Sequence, residues 1–205
     1  MQERIPRDAA CILDVGCAAG AFGAAIKARQ DCLVVGIECN SLLTETAKTR
    51  LDQVVRGDVE ELALTTFPAE FDCIVCGDVL EHLRDPWAVV TKLTAWLKPG
   101  GLLVATLPNV GHWSIVYDLL RGRWDVIPFG LLCWSHFRFF TRVGVEHLFA
   151  GSQLTIETLE GIAEALSPAG EAFLQQAVML MADSDQESLR TVEFVVTARK
   201  RTQAG

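Results

Sequence analysis

The stretch Cys11–Gly23, which reads CILDVGCAAGAFG, places an acid and three glycines where an apolar strand would meet a helix. Such a turn lets backbone N–H groups approach a ligand closely at the start of the helix. A dinucleotide fingerprint would need glycine two and five places after Gly16, where this chain has Ala18 and Ala21. Asp14, two places before Gly16, fits S-adenosylmethionine (SAM) better, because the methionine end of SAM carries an ammonium group.

Two further acids follow the next two apolar runs. Glu38 lies 22 positions beyond Gly16 (38 − 16), close to the roughly 20 expected for an acid that accepts hydrogen bonds from ribose hydroxyls. Asp58 could accept an adenine amino proton while Val59 packs on the ring. A solvated acid at a strand end remains an alternative for Glu38, and a plain turn acid is an equal alternative for Asp58.

The order ILDVGC-x-x-G, VGIE, GDVEEL, FDCIVCGDVLEHLRDP and LKPGGLLVATLPN across Cys11–Asn109 resembles the class I SAM-dependent methyltransferases. Ala18 stands where that family most often has glycine, which is a small change. The resemblance implies that SAM is the cofactor. It also implies a role for each matching position: Asp14, Gly16 and Gly20 border the methionine part, Glu38 the ribose, Asp58 and Val59 the adenine, and Asp78 the reaction site.

The later part of the chain resembles a narrower group. The stretches Pro108–Trp113 and His136–Thr141, together with Gly130, are similar to a bacterial subgroup found beside, or fused to, glycosyltransferases of polysaccharide and O-antigen biosynthesis. Asp78–His82 is similar to ubiquinone-pathway O-methyltransferases. Both resemblances imply methyl transfer to oxygen. The subgroup's Asp-Arg-Thr is replaced here by Cys133–Ser135, which affects the substrate pocket and not the cofactor site.

A hydroxyl acceptor benefits from a base, and histidine is the natural base at neutral pH. Of the four histidines, His136 and then His112 are the favoured candidates, because both lie in the aromatic segment 109–140 near the expected site. His136 could instead join that segment to the sheet. His147, inside a helical pattern, is more simply a surface or packing residue. Arg138 could bind an acceptor carboxylate or phosphate, or brace an acidic neighbour.

Asp78, Glu81 and His82 stand at i, i+3 and i+4, which a helix would place on one face. Their oxygen and nitrogen atoms could ligate a divalent cation. However, Asp78 is expected to face SAM, and Glu81 could pair with Arg84. We therefore expect no metal.

Composition limits the class of protein. A length of 205 residues predicts a single domain, 1–205, and a net charge of −8 argues against a nucleic-acid surface. No apolar run approaches the roughly 18 residues of a membrane span, and no secretory signal is visible. The seven cysteines lie mostly in apolar runs, and Cys73 and Cys76 would point to opposite faces of a strand. Buried, reduced thiols in a cytoplasmic protein are expected.

Short apolar runs alternate with helical patterns along the chain. This predicts an α/β fold: a Rossmann-like, doubly wound, seven-stranded, mostly parallel sheet with helices on both faces. Segment 109–140 breaks the alternation and is read as an aromatic, acceptor-facing insertion. The expected strands are Cys11–Val15, Leu33–Ile37, Val54–Arg56, Phe71–Cys76, Leu102–Leu107, Leu154–Gly161 and Thr191–Arg199. The expected helices are Phe22–Arg29, Leu42–Leu51, Pro86–Leu97, Arg142–Phe149 and Ser167–Ala182, the last followed by a polar run, Asp183–Ser188.

These features predict a SAM-dependent methyltransferase that acts on a hydroxyl of a sugar, a glycan or another small molecule, and that could act beside a glycosyltransferase. Only about ten residues precede the first strand, whereas the family usually has helices there that cover SAM. A domain cut from a longer protein, or a partner that supplies the lid, would explain this. A non-catalytic binding or regulatory partner is the alternative function. An NAD-dependent oxidoreductase fits the glycine spacing poorly.

Overall fold

The computed structural model describes residues 1–67, 70–180 and 186–202. Seven strands form one sheet in the order β3-β2-β1-β4-β5-β7-β6, in which only β7 runs antiparallel to its neighbours β5 and β6. The predicted Rossmann-like sheet is thus confirmed. The strands are β1 (Cys11–Val15), β2 (Leu33–Glu38), β3 (Gln53–Arg56), β4 (Phe71–Cys76), β5 (Leu97–Pro108), β6 (Leu154–Ala163) and β7 (Thr191–Lys200).

Helices cover both faces of the sheet, as predicted. On one face, Ile26 and Ala47 from the first two helices pack on the sheet, and on the other face Leu93 and Val145 do so. Cys73 and Cys76 belong to these two separate cores, so they point to opposite faces. All seven cysteines are free thiols. The helices are α1 (Ala21–Arg29), α2 (Ser41–Ala47), α3 (Pro86–Trp96), α4 (Trp113–Leu120), α5 (Arg142–Ala150), α6 (Pro168–Leu180) and α7 (Gln186–Arg190).

Local capping explains where most helices begin. Asp85 accepts a hydrogen bond from the Ala88 amide at the start of α3, where Pro86 is the first helical residue, and Thr141 caps α5 in the same way. Helix α2 ends at Ala47 and not at Leu51 as predicted. The Thr49 hydroxyl donates to the carbonyl of Thr46 just beyond the helix, and such local bonds compete with helical ones.

Two helices were not predicted. Helix α4 lies inside the aromatic segment, and α7 forms part of the stretch read as a polar run. Helix α6 ends at Leu180, so residues 181–182 of the predicted helix and residues 183–185 of the polar run lie outside the described residues. In the described part of the chain, no helix has the length and apolarity needed to cross a bilayer.

Hydrogen bonds join the two ends of segment 109–140 to each other and hold its last residues against the chain that follows β4. Asn109 and Phe140 form a bridge, and the Val110 amide donates to the Phe140 carbonyl at 2.9 Å. The amides of Phe137 and Arg138 both donate to the carbonyl of Glu81, at 2.8 and 3.0 Å. The insertion therefore lies against the chain that leaves β4, at the sheet edge where parallel α/β proteins bind ligands.

Candidate functional site

The turn after β1 is held in a conformation that favours glycine. Gly16, Ala18 and Gly20 all have positive φ angles, of 70°, 47° and 76°. A Cβ on Gly16 would lie 2.7 Å from Cγ2 of Val79, so this position also lacks room for a side chain. Ala18 adopts a left-handed conformation that costs a non-glycine residue roughly 1–2 kcal/mol. This strain gives a physical reason for glycine at that position in the family pattern.

Asp14, two residues before Gly16, has a carboxylate oxygen without a hydrogen-bond partner in the described part of the chain. Its side chain is buried, and Oδ2 has no hydrogen-bond partner among the described residues. Burial raises the pKa of Asp14 to about 7. A buried carboxylate oxygen without a hydrogen bond is costly unless a partner is supplied. The ammonium group of a ligand such as SAM would supply one, so the residues present fit that cofactor.

Glu38 links the end of β2 to the same turn. Its Oε2 accepts the Ala18 amide at 2.9 Å, and its Oε1 accepts the Asn40 amide at 2.7 Å. Each carboxylate oxygen can accept a further hydrogen bond. Since Glu38 also lines a cavity, its carboxylate is available to a pair of hydroxyls.

The candidate groove for the cofactor has two lobes. One, of about 260 Å³, is lined by Glu38, Asp58 and Val59. The other, of about 400 Å³, lies beside Asp14. Both lobes reach Gly16 and Asp78. Gly20 lines neither lobe, and it instead lets α1 begin close to Ala47, whose Cα would lie 3.2 Å from a Cβ at this position.

A third cavity, of about 750 Å³, joins the groove at Asp78 and His82, which line both. We call it the acceptor cavity. It lies between the insertion and the ends of β5, β6 and β7, and both predicted base candidates, His136 and His112, line it. His147 is exposed on α5, outside its lining.

The lining of the acceptor cavity is less aromatic than the sequence indicated. Of the insertion's aromatic residues in the described chain, only Phe129 lines this cavity. Trp134 and Phe137 are largely exposed to solvent, and Trp124 packs on Phe139. The remainder of the lining is Asp78, Glu81, His82, Pro108, His112, Ser114, Pro128, Gly130, Leu131, Cys133, His136, Ile162, Glu164, Val192 and Glu193.

His82 and His136 are oriented by backbone carbonyls. His82 donates from Nδ1 to the carbonyl of Ser135 at 3.0 Å, and His136 donates from Nδ1 to that of Leu131 at 3.2 Å. Because a carbonyl only accepts, Nδ1 carries the proton in each ring. In a neutral ring, Nε2 is then left as a hydrogen-bond acceptor.

Burial favours the neutral form of both base candidates. Burial lowers the pKa of His112, whose Nδ1 lies 2.9 Å from the Ser114 hydroxyl. Burial, followed by the neighbouring charge of His82, lowers the pKa of His136. A neutral imidazole can take a proton from an acceptor hydroxyl, which is the chemistry the sequence predicted for these two positions.

Asp78 has a carboxyl neighbour that sequence reasoning missed. The Thr106 hydroxyl lies 3.0 Å from both the Asp78 amide and the Asp78 carboxylate, and Asp78 has a φ of 52°. Glu193, near the start of β7, shares a hydrogen bond with Asp78. Burial and this neighbour raise the pKa of Glu193 to about 7. The available signal was an isolated acid inside the last apolar strand, at its end nearest the site.

A second cluster joins Glu81, His82 and His136. One ligand-type atom from each lies within 4.8 Å of the others, and Asp78 is not part of this group. The set predicted from spacing, Asp78, Glu81 and His82, therefore differs from the cluster that the fold assembles, because Leu80–His82 is a single 3₁₀ turn. Glu81 is 1% exposed, and burial raises its pKa to about 8.

Comparison with known proteins agrees with this geometry. A family model described as a methyltransferase domain matches residues 2–159. The ubiquinone biosynthesis O-methyltransferase of Coxiella burnetii is 26% identical over 143 residues, 67% of this chain and 61% of that protein. The protein of that name from Xylella fastidiosa is 38% identical over 115 residues, 53% of this chain and 46% of that protein. The chain thus spans about half to three fifths of the length of these relatives.

Solved structures share the fold. A SAM-dependent methyltransferase from Mesorhizobium loti superposes with a TM-score of 0.67 at 17% identity, covering 97% of this chain and 94% of that one. One from Archaeoglobus fulgidus gives a TM-score of 0.65 at 17% identity, covering 95% and 87%. At such low identity, these likenesses concern the architecture alone.

Proposed function

The chain belongs to the methyltransferase-domain family, whose cofactor is SAM, and we propose that it transfers a methyl group to a hydroxyl oxygen of a small molecule. One observation carries the proposal. The two-lobed groove and the larger acceptor cavity meet at Asp78 and His82, so that a donor and an acceptor can lie side by side. Enzymes gain roughly 7–11 kcal/mol from holding two reactants in line.

We propose that the groove residues divide the cofactor among them. Asp14 binds the ammonium group, Glu38 the two ribose hydroxyls, Asp58 the adenine amino group, and Val59 the face of the ring. Gly16 and Gly20 keep the turn close and Asp78 borders the reacting end. When bound, SAM supplies an electrophilic methyl group on a sulfonium.

The protein then has to position a hydroxyl and remove its proton. We propose that Nε2 of a neutral imidazole in the acceptor cavity, that of His136 or His112, takes this proton as the oxygen gains the methyl group. A positioned base contributes roughly 10²–10⁴ in rate. Asp78, held by Thr106 and Glu193, orients the acceptor at the junction of the cavities.

The identity of the acceptor forms a finer part of the proposal. The resemblance of Pro108–Trp113 and His136–Thr141 to the polysaccharide-associated subgroup supports a sugar or glycan end, with a fused or associated glycosyltransferase as partner. The ubiquinone-pathway relatives support transfer to oxygen. The net charge of −8 supports a partner that is not nucleic acid, and the free thiols support a cytoplasmic site of action.

The test is methyl transfer from isotopically labelled SAM to a panel of sugars, amino sugars and phenols, with products identified by mass spectrometry. We expect a methyl ether whose label is retained in alkali. Asp78→Asn should lose most of the activity, while Glu45→Gln, an exposed change of the same charge on α2, should keep it. Binding of SAM without transfer to any acceptor would contradict the proposal and support a binding or regulatory role.

A further inference from the structure

The acceptor cavity is lined by several acidic side chains. Asp78, Glu81, Glu164 and Glu193 line it, and no lysine or arginine of the described chain does. Arg138, which the sequence offered as an anion ligand, lies outside the lining. It donates to the Arg84 carbonyl, with its guanidinium 5.9 Å from the Trp87 ring centroid. A phosphate or carboxylate on the acceptor would therefore meet carboxyl groups without a paired cation, which is costly.

Glu81 is the buried acid of this cavity. Its side chain is 1% exposed, and its Oε2 has no hydrogen-bond partner among the described residues. Its Oε1 lies 3.9 Å from Nε2 of His82. His82 and His136 donate from Nδ1 to backbone carbonyls, so Nε2 of each ring is an acceptor whenever that ring is neutral. With Glu81 ionised and both rings neutral, the cluster consists of three acceptors without a donor, and a group with several N–H donors would satisfy it.

The spacing of the three acceptors accommodates an ammonium group. Zinc, with bonds of about 2.1 Å to nitrogen and oxygen, holds tetrahedral ligand atoms about 3.4 Å apart. An ammonium with N–H···acceptor distances of about 2.9 Å holds its tetrahedral acceptors about 4.7 Å apart. The observed atoms are 3.9 Å apart in the Glu81–His82 pair and within 4.8 Å across the cluster. The Glu81–His82 separation lies between the two values, and the bound of 4.8 Å across the cluster accommodates the ammonium spacing of about 4.7 Å.

We infer that the acceptor carries a protonated amine, whose ammonium group binds between Glu81, His82 and His136 while a neighbouring hydroxyl receives the methyl group. This rests on the proposed function and deepens it. The substrate class becomes an amino alcohol, such as an amino sugar. Because His136 then accepts a hydrogen bond from the amine, the role of base falls to His112, the other imidazole of the insertion that lines the cavity.

The experiment compares probes that share a scaffold and differ in charge. One set is glucosamine, glucose and glucuronate, and the other is dopamine, 4-methylcatechol and 3,4-dihydroxyphenylacetate. Binding to the full chain is measured by calorimetry and ligand-observed NMR at pH 7.5, with and without S-adenosylhomocysteine. In at least one set we expect the ammonium member to bind tenfold or more tightly than the neutral one, and the anion to show no binding.

Single substitutions test whether the preference for ammonium-bearing probes depends on the Glu81–His82–His136 cluster. Glu81→Gln and His136→Ala should each abolish the tenfold preference, whereas Glu146→Gln, an exposed change on α5 outside the cavity lining, should leave it intact. Retention of the preference in Glu81→Gln, equal binding of the anion, or no binding by any probe would overturn the inference. So would Mn²⁺ binding that Glu81→Gln removes, since this would assign the cluster to a metal.

Failure of this inference can be told apart from failure of the proposed function. SAM binding is measured on the same samples. If SAM binds and a methyl group is transferred to a neutral or anionic alcohol, only the amine is wrong. If SAM does not bind, the proposed function itself fails.

Discussion

The imidazole of His82 meets that of His136 edge to face, with ring centroids 4.8 Å apart and planes at 80°. His82 follows β4 and lines both the cofactor groove and the acceptor cavity, while His136 belongs to the insertion. This contact, with the two hydrogen bonds from Phe137 and Arg138 to Glu81, joins the edge of the α/β sheet to the chain's own insertion. The part of the site that lines the cofactor groove and the part formed by the insertion are therefore in direct contact.

Replacement of His112 should act on the chemical step. At saturating acceptor, His112→Ala should lower kcat by roughly 10²–10⁴, because the hydroxyl loses its base. The wild-type kcat should rise with pH through a midpoint below 6.5, since burial lowers the pKa of His112 and only the neutral ring accepts a proton. Steady-state kinetics from pH 5 to 8 measure both effects. A pH profile that keeps this limb in His112→Ala would exclude His112 as the base.

Replacement of His136 should act on acceptor binding. His136→Ala removes one of the three acceptors of the proposed ammonium site, so KM for an amine-bearing acceptor should rise about tenfold or more. SAM affinity should be unchanged, because His136 lines the acceptor cavity and not the groove. If kcat falls instead and KM stays the same, His136 is the base and the two histidines exchange roles.

Gly16 should resist substitution more strongly than another glycine of the same conformation. Gly122 has a φ of 73° and nothing within 4 Å of the position that a Cβ would take, so Gly122→Ala costs only backbone strain, roughly 1–2 kcal/mol. Gly16→Ala adds contact with the stiff Val79 side chain, roughly 1–3 kcal/mol more. Chemical denaturation of both variants checks the difference. Equal losses of stability would mean that the Val79 side chain moves away from the new Cβ without a loss of free energy.

Removal of the ionisable group at Glu81 should stabilise the fold at high pH only. Burial raises the folded-state pKa of Glu81 to about 8, from an ordinary value of 4.5. The unfolded chain therefore loses this proton first, and stability falls as pH rises from about 4.5 to 8. Above pH 8 the cost is on the order of 5 kcal/mol. Thermal unfolding should show equal Tm values for Glu81→Gln and wild type near pH 4.5, and a higher Tm for the variant at pH 8.5. The reverse order at pH 8.5 would contradict this account.

Chelation should leave the activity unchanged. The Glu81–His82–His136 cluster is assigned above to an ammonium group, so we expect no catalytic metal there. Methyl transfer after treatment with EDTA, and after addition of Mg²⁺ or Mn²⁺, provides the measurement. Loss of activity with EDTA that a divalent cation restores would assign this cluster to a metal.

The sheet was predictable because its signals are local. The bounds of β1 and β4 agree with the sequence to the residue, since each is an apolar run with a single aspartate that is followed directly by a glycine. The residues of the groove follow the same strands, and their order along the chain fixes their place at the sheet edge. The position of Glu38 within reach of the glycine turn is one consequence.

The acceptor cavity was less predictable because it depends on contacts between distant parts of the chain. Helix α4 was missed because its residues were read as part of an irregular aromatic segment. Glu193 reaches Asp78 only because β7 inserts antiparallel between β5 and β6. The meeting of Glu81 with His136 depends on hydrogen bonds to the Glu81 carbonyl. No spacing in the sequence encodes the last two of these relationships.

The most direct test of the account is a calorimetric titration of the chain with SAM, with NAD as the control ligand. We expect micromolar binding of SAM, no binding of NAD, and an affinity for SAM at least tenfold weaker in Glu38→Ala, which loses the carboxylate assigned to ribose. The exposed change Glu45→Gln should bind as the wild type does. Binding of NAD in preference to SAM, or unchanged SAM affinity in Glu38→Ala, would contradict the assignment of the groove.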